Sequence, residues 1–213
     1  KVLKMQEDEM AQKIGAVVKI KKVMVRNVQK AADKLGDASL VTNDWQEIIN
    51  DPEIQVIIEV MGGIHPAKEY ILEALNAGKN VVTANKDLVA EEGHRLLEAA
   101  AEHQADFLFE AAVAGGIPII RPLKQCLAGN HITEVMGIMN GTTNFILTKM
   151  SEEGMEFADA LKMAQDLGYA ESDPTADVEG YDAGRKLAIL ASIAFNSRVV
   201  FSNVYTEGIT KIT

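Results

Sequence analysis

The sequence is short of cysteine: a single one, Cys126, stands among 213 residues. That excludes an intramolecular disulfide and points to a reducing compartment. No run of lysines or arginines offsets a net charge of -10. Such a balance argues against nucleic acid or an anionic membrane surface as partner. No apolar stretch reaches transmembrane length and no signal peptide is visible, so the expectation is a cytoplasmic protein. The four histidines, His65, His94, His103 and His131, do not form a metal-spaced set. Internal repeats, low-complexity tracts and Pro/Ser-rich linkers are all missing. So is a Gly-x-Gly-x-x-Gly turn, where backbone N–H groups meet a pyrophosphate in dinucleotide-binding folds. Either no dinucleotide binds, or the chain lacks the first strand that would carry that turn. The chain opens as if in mid-helix, without an initiator methionine. That favours the second alternative, with something preceding Lys1.

What is present alternates. A helical start up to about residue 14 leads into strand-like Ala16 to Val25, which ends at Arg26-Asn27. A helix over Val28 to Leu35 follows, then a short helical piece at Trp45 to Ile49. Ile54 to Met61 is a near-continuous apolar run, the pattern of a buried parallel strand. Gly62-Gly63 ends it. A helix over Pro66 to Asn76 has Pro in its first turn and Gly78 closing it. Lys79 to Thr83 reads as strand, Leu88 to Gln104 as helix, and Ala105 to Glu110 as strand. Alternation with short links predicts a doubly wound, Rossmann-like parallel sheet over residues 1–112. Ligands in such sheets bind beyond the carboxyl ends of the strands. Those ends carry Arg26, Gly62-Gly63, Ala84-Asn85-Lys86 and the stretch Glu110 to Gly116.

Beyond Gly116 the alternation stops. The pattern predicts a helix from Ile117 to Leu127 opened by Pro118, a strand from Ile132 to Met139, and a polar turn at Asn140 to Asn144. Helices at Phe145 to Glu152 and Phe157 to Leu167 follow. Then comes an acidic loop and a long helix from Val178 to Phe195, with Asp177 as its N-cap. Val199 to Ile212 reads as strand. Residues 113–213 are therefore expected to form a second, α+β domain for substrate binding, catalysis and dimerisation.

The acidic loop concentrates chemistry. Glu171, Asp173, Asp177, Glu179 and Asp182 precede Arg185 and Lys186. Asp182 and Lys186 are four apart and share a helix face. A solvated surface ion pair is the plain alternative. Lys86 sits at a strand end, although a lysine in such a turn is usually solvated. Glu110 with the bent backbone after it could converge on a hard cation, or the glutamate could simply cap the next helix. Arg26 could pair with a ribose 2′-phosphate, or lie on the surface. Cys126 is expected inside a helix, packed in the core.

These pieces, in this order, resemble the homoserine dehydrogenase family. The stretches that carry the likeness are Thr83-Ala-Asn-Lys86, Glu110 to Ile119, Gly137 to Ile146, Leu167 to Pro174 and Asp177 to Leu190. They span essentially the whole chain. The resemblance implies NAD(P)H-dependent reduction of L-aspartate 4-semialdehyde to L-homoserine, or the reverse, on the route to threonine, methionine and isoleucine. It implies Lys186 as proton donor and acceptor, with Lys86 a second lysine at cofactor and substrate. Glu171 would hold the substrate amino group, with Asp177 and Asp182 lining the pocket. Arg26, Gly62, Lys86 and Gly168 would meet the cofactor, with Arg26 tilting the choice towards NADP over NAD. Glu110 with the backbone of Val113, Gly115 and Ile117 would form a sodium-type cation site. A homodimer or higher homo-oligomer is implied. The family also carries a first strand, a glycine-rich turn and a continuation past Thr213, so the expectation is a fragment of a longer enzyme. Another two-domain oxidoreductase with a different small carbonyl substrate, or a non-catalytic dinucleotide- or amino-acid-sensing module, stay open as alternatives.

Overall fold

The computed structural model describes residues 2–213, which divide into two compact units, one ending at Gln55 and the other running from Val56 to Thr213. The first unit opens with two short helices, α1 (Val2–Met5) and α2 (Glu7–Ile14), neither of which buries a residue. Strand β1 (Val23–Met24) pairs in parallel with β2 (Val41–Thr42), Val23 opposite Val41. Between them lies α3 (Val28–Leu35), whose N-cap Asn27 accepts from the Lys30 amide. After β2 comes α4 (Gln46–Ile49). Val41, Trp45, Ile48, Ile49 and Ile54 are buried and form this unit's core. Ala16 to Lys22 are not strand, contrary to expectation. Their lysines (Lys19, Lys21, Lys22) interrupt the apolar pattern, and Lys21 instead pairs with Asp51 and Glu53.

The second unit holds a three-stranded parallel sheet in the order β3-β4-β5: Val56–Glu59, Asn80–Thr83 and Phe107–Leu108. Its crossovers are α5 (Ala67–Asn76) and α6 (Lys86–Glu102). Both pack on one face. Ile71, Leu75, Leu88, Leu96 and Val81 are fully buried there, with Phe107 and Phe109 beside them. Side chains alternate across a strand, so Val56, Ile58 and Leu108 point to the other face and are exposed. The mixed α/β class with parallel pairing is thus present in both units.

The remaining elements are helices: α7 (Gly141–Glu153), α8 (Phe157–Asp166), α9 (Thr175–Val178) and α10 (Tyr181–Ala194). Ile146, Ala160, Ala164, Ala170 and Val178 form a second core cluster under α7, α8 and α9. Small alanines let the helices approach closely, and Phe145, Phe157 and Leu161 seal the edges.

Four expectations fail in this half. The helix expected over Val178 to Phe195 is broken at Gly180, whose φ of 81° is left-handed and separates α9 from α10. Glycine alone enters that region without steric cost. The expected helix from Ile117 is reduced to a π-turn over Pro122–Cys126, because Pro122 has no N–H to continue an α-helical ladder. Cys126 is exposed there rather than in the core. The strands expected at Ile132 to Met139 and Val199 to Ile212 are irregular. Their residues have strand composition but no partner ladder among the described residues, and a strand without a partner leaves its backbone groups unpaired. Met136, Ile138 and Tyr205 are 84%, 77% and 85% exposed as a result. Instead of pairing, the segment after Phe201 lies along the start of α10 and reaches the end of α9, where the Ile209 amide donates to the Val178 carbonyl at 2.8 Å.

Candidate active site

The ends of β3 and β4 are fixed by two buried polar side chains. Glu59, an acid inside the apolar run, accepts from the Met61 amide at 2.6 Å, the Gly62 amide at 3.2 Å and the Thr83 hydroxyl at 2.6 Å. It pins the Gly62–Gly63 turn, in which both residues have left-handed φ. Asn85 donates to the Gly63 carbonyl at 2.6 Å and caps α6 by accepting from the Leu88 amide. The carboxyl edge of the sheet is therefore a rigid shelf of bare glycine backbone, with open space where Cβ atoms would stand.

Lys86 is the first residue of α6 and so projects from that shelf. Its amine stands 3.2 Å from Asp182 Oδ1. Asp182 lies in the first turn of α10, and Lys186 one turn later donates to Asp182 Oδ2 at 2.6 Å. The Lys186 amine also donates to the Met139 carbonyl at 2.8 Å. One buried carboxylate thus gathers two lysines from two helices. Asn140 completes it. Its Nδ2 donates to Asp182 Oδ2 at 2.8 Å and to Asp177 Oδ1 at 2.6 Å, while its Oδ1 accepts from the Thr143 amide and caps α7.

The electrostatics follow from this arrangement. Burial pushes the Asp182 carboxyl up. The hydrogen bonds from Lys186 and Asn140 and the two lysine charges outweigh that, and hold it below the usual carboxylate range. The site is an ionised acid clamped between two amines. An amine so held can give a proton to a negatively charged oxygen, and Asp182 keeps it aimed.

The other sequence-derived candidates stand outside this network. Glu171 is exposed and its carboxylate is free of hydrogen bonds among the described residues; only its carbonyl is engaged, by the Gln165 side chain. Gly168 adopts a left-handed φ of 79° just past α8. Arg26 is exposed immediately after β1 in the first unit. Glu110 turns its carboxylate to the amides of Ile119, Ile120 and Arg121 at 2.6, 2.9 and 2.7 Å. Burial raises its carboxyl, but those three donors and the Arg121 charge bring it below its ordinary value. Val113 is buried and Ile117 exposed beside it, with Gly115 between them on the surface. No cluster of three or more His, Cys, Asp or Glu side chains suited to a metal occurs among the described residues.

Sequence reasoning missed Asn140 as a site residue. Its only local signal is a helix N-cap, because both acids it binds come from far along the chain. It also missed Glu59, whose signal is an acid placed inside a strand-like apolar run.

Comparison with known proteins agrees along the whole chain. A family model described as homoserine dehydrogenase, NAD binding domain, matches residues 1–110. A second, described as homoserine dehydrogenase, matches residues 118–213. The homoserine dehydrogenase of Bacillus subtilis (strain 168) is 47% identical over 213 residues, 100% of this chain and 49% of its own. That of Mycobacterium tuberculosis (strain ATCC 25618 / H37Rv) is 48% identical over the same length, 48% of its own. A homoserine dehydrogenase structure from Thiobacillus denitrificans superposes with a TM-score of 0.93 at 45% identity, covering 100% of this chain and 49% of that one. A hyperthermophilic archaeal homoserine dehydrogenase in complex with NADPH gives a TM-score of 0.79 at 27% identity, covering 96% of this chain and 70% of that one. The chain spans about half the length of the curated relatives it matches. Matched through both halves by models of one family, the chain belongs to the homoserine dehydrogenase family.

Proposed function

We propose that the protein carrying this chain interconverts L-aspartate 4-semialdehyde and L-homoserine with a nicotinamide cofactor, in the biosynthesis of threonine, methionine and isoleucine. One observation carries the reading. The amines of Lys86 and Lys186, from two different helices, converge on the carboxylate of Asp182.

A reduced nicotinamide, when bound, supplies a hydride to the aldehyde carbon. The residues of this chain handle the charge that builds on oxygen. Lys186 Nζ–H gives its proton to that oxygen, so that the carbonyl becomes a hydroxyl and the lysine a neutral amine. Asp182 orients Lys186, and Lys86 adds a second positive charge facing the same oxygen. The exposed Glu171 carboxylate, free to take a new partner, suits the cationic amino group of the substrate, with Asp177 at the pocket wall. In the reverse direction the neutral lysine is the base.

The glycine shelf fits a flat cofactor ring. Gly62, Lys86 and Gly168 would hold the cofactor, with Arg26 at a 2′-phosphate, which favours NADP over NAD. The archaeal relative with NADPH supports the same choice. A sodium-type cation would rest chiefly on the carbonyls of Val113, Gly115 and Ile117. Glu110 contributes little there, since three amides already occupy its carboxylate. We read residues 1–112 as the nucleotide-binding part and 113–213 as the catalytic and dimerising part of a cytoplasmic enzyme that forms a homodimer or higher homo-oligomer. No helix among the described residues is long and apolar enough to cross a membrane.

The test is turnover of aspartate semialdehyde against other small aldehydes by the full-length protein, with and without Lys186→Ala. The enzyme reading expects a fall in kcat of about 100-fold or more with binding kept. Cofactor binding indifferent to the substitution, with no turnover in the parent, would mean a sensing module instead.

A further inference from the structure

The residues next to the two lysines are also paired. Asp87 follows Lys86 in the first turn of α6, and Arg185 precedes Lys186 in α10. Arg185 Nε lies 3.3 Å from Asp87 Oδ1. That oxygen is shielded from solvent and accepts no hydrogen bond among the described residues, so the guanidinium is the charge that compensates it. The same two helices are thus joined twice, with the charges crossed. Lys86 of α6 reaches Asp182 of α10, and Arg185 of α10 reaches back to Asp87 of α6.

Arg185 is held from its other side as well. Its guanidinium stands over the Phe201 ring, 5.1 Å from the centroid. Phe201 meets Tyr181 edge-on at 6.0 Å. It is seated so tightly on α10 that a Cβ at Gly184 would lie 2.7 Å from its Cε2. A planar guanidinium can lie flat on an aromatic face while its edge meets a carboxylate, a stacked geometry that an ammonium lacks. Phe201 therefore backs Arg185 against Asp87.

A single ion pair lets two helices pivot. Two pairs from consecutive residues of α6 to positions three apart on α10 fix the register and the roll. We propose that the Asp87–Arg185 pair is a positioning latch, which holds the start of α6 on α10 and so sets the separation of the Lys86 and Lys186 amines across Asp182. Its value lies in placement. A pair this exposed adds little stability, whereas an ångström of misplacement at a reacting centre costs up to about 100-fold in rate. Arg185 and Asp87 are positioning residues that touch neither substrate nor cofactor in this scheme.

The inference rests on the dehydrogenase reading, and the test separates the two. Arg185→Gln, Arg185→Lys and Asp87→Asn are made in the full-length protein. Lysine acetylation by acetic anhydride is followed by mass spectrometry, with Lys162, exposed on α8, as internal reference. The latch expects acetylation of both Lys86 and Lys186 to rise severalfold over Lys162 in Arg185→Gln and Asp87→Asn, with Arg185→Lys between these and the parent. It also expects kcat to fall about 10- to 100-fold with KM within about threefold, while Tm stays near the parent's. Folded variants in which both lysines label at the parental rate overturn the latch, whatever the turnover. A parent that turns over no aldehyde overturns the enzyme reading alone, because labelling still decides the latch. Asp87→Asn is isosteric and carries the comparison if Arg185→Gln fails to fold.

Discussion

Asn140 and Asp182 are 42 positions apart in the chain and 2.8 Å apart in space. The amide is the neutral member of a site otherwise built of charges, and it also donates to Asp177. It is placed by its own local duty, since the same side chain caps α7 through the Thr143 amide. Asn140→Asp keeps the cap acceptor, removes both donors, and sets a third carboxylate against two. Like charges raise the pKa of one of them, so the folded state gains affinity for a proton. The damage is then greatest at neutral pH and shrinks as the pH falls towards 5. A loss of about 2 to 3 kcal/mol at pH 7 is expected from unsatisfied buried acceptors. Asn140→Ser, which adds no charge, should give a loss that hardly varies between pH 5 and 7. Urea midpoints at the two pH values distinguish them.

Asp182 and Glu110 are two of the carboxylates on which acid should act. Both Asp182 and Glu110 are held below the ordinary carboxylate range in the folded chain. A depressed folded pKa means that the unfolded chain binds the proton more tightly. The stability each contributes is complete above the unfolded value, about 4, and drains as pH falls through the lower folded value. Asp182→Asn and Glu110→Gln should therefore each flatten the fall in Tm below about pH 4. A slope as steep as the parent's in both variants would place the acid sensitivity elsewhere. Glu110→Gln should also cost about 1 to 2 kcal/mol at neutral pH, because a neutral amide accepts less strongly than a carboxylate from the Ile119, Ile120 and Arg121 amides.

How much of this was readable beforehand depends on whether the partner is near in sequence. Asp182 and Lys186 share a face at four-residue spacing, and their pair forms as expected. The apolar run through Ile58 marked β3, because that signal lies inside the element itself. Lys86 reaching Asp182 was legible only through a resemblance, since nothing local links position 86 with 182. Asn140 was hidden for the same reason. Ile132 to Met139 misled because β-branched composition says only that a segment suits a pleated ladder, and the ladder needs a second strand. Gly180 misled because the apolar spacing runs straight through it, while its backbone is left-handed and lies close to the Glu207 carbonyl, 3.1 Å from where a Cβ would stand.

Arg26 offers a test of cofactor choice. It is exposed just past β1 and has no ion pair to give up among the described residues. If it meets a 2′-phosphate, the charged contact is worth about 1.5 to 3 kcal/mol. Arg26→Ala in the full-length enzyme should then raise KM for NADPH about tenfold or more and leave KM for NADH within about twofold. Equal effects on both cofactors would remove Arg26 from the site.

Gly184 sets how closely the segment from Phe201 to Thr206 can lie on α10. A Cβ there would meet Thr206 Cγ2 at 2.6 Å and Phe201 Cε2 at 2.7 Å. Neither is the loose end of a long side chain, so backbone or ring must move. Two effects oppose each other in Gly184→Ala. Alanine in a helix gains about 1 kcal/mol over glycine, while overpacking costs about 1 to 3 kcal/mol. Two contacts this short put the strain at the upper end of that range, and a net loss of about 1 to 2 kcal/mol is expected. Because Phe201 also backs Arg185, the shift should reach the site, with kcat falling while the bulk of the fold persists. Phe201→Leu in the Gly184→Ala background would relieve the crowding and recover stability in urea without restoring kcat, since leucine offers no ring face to the guanidinium. Recovery of both together would mean that the ring serves only to fill space.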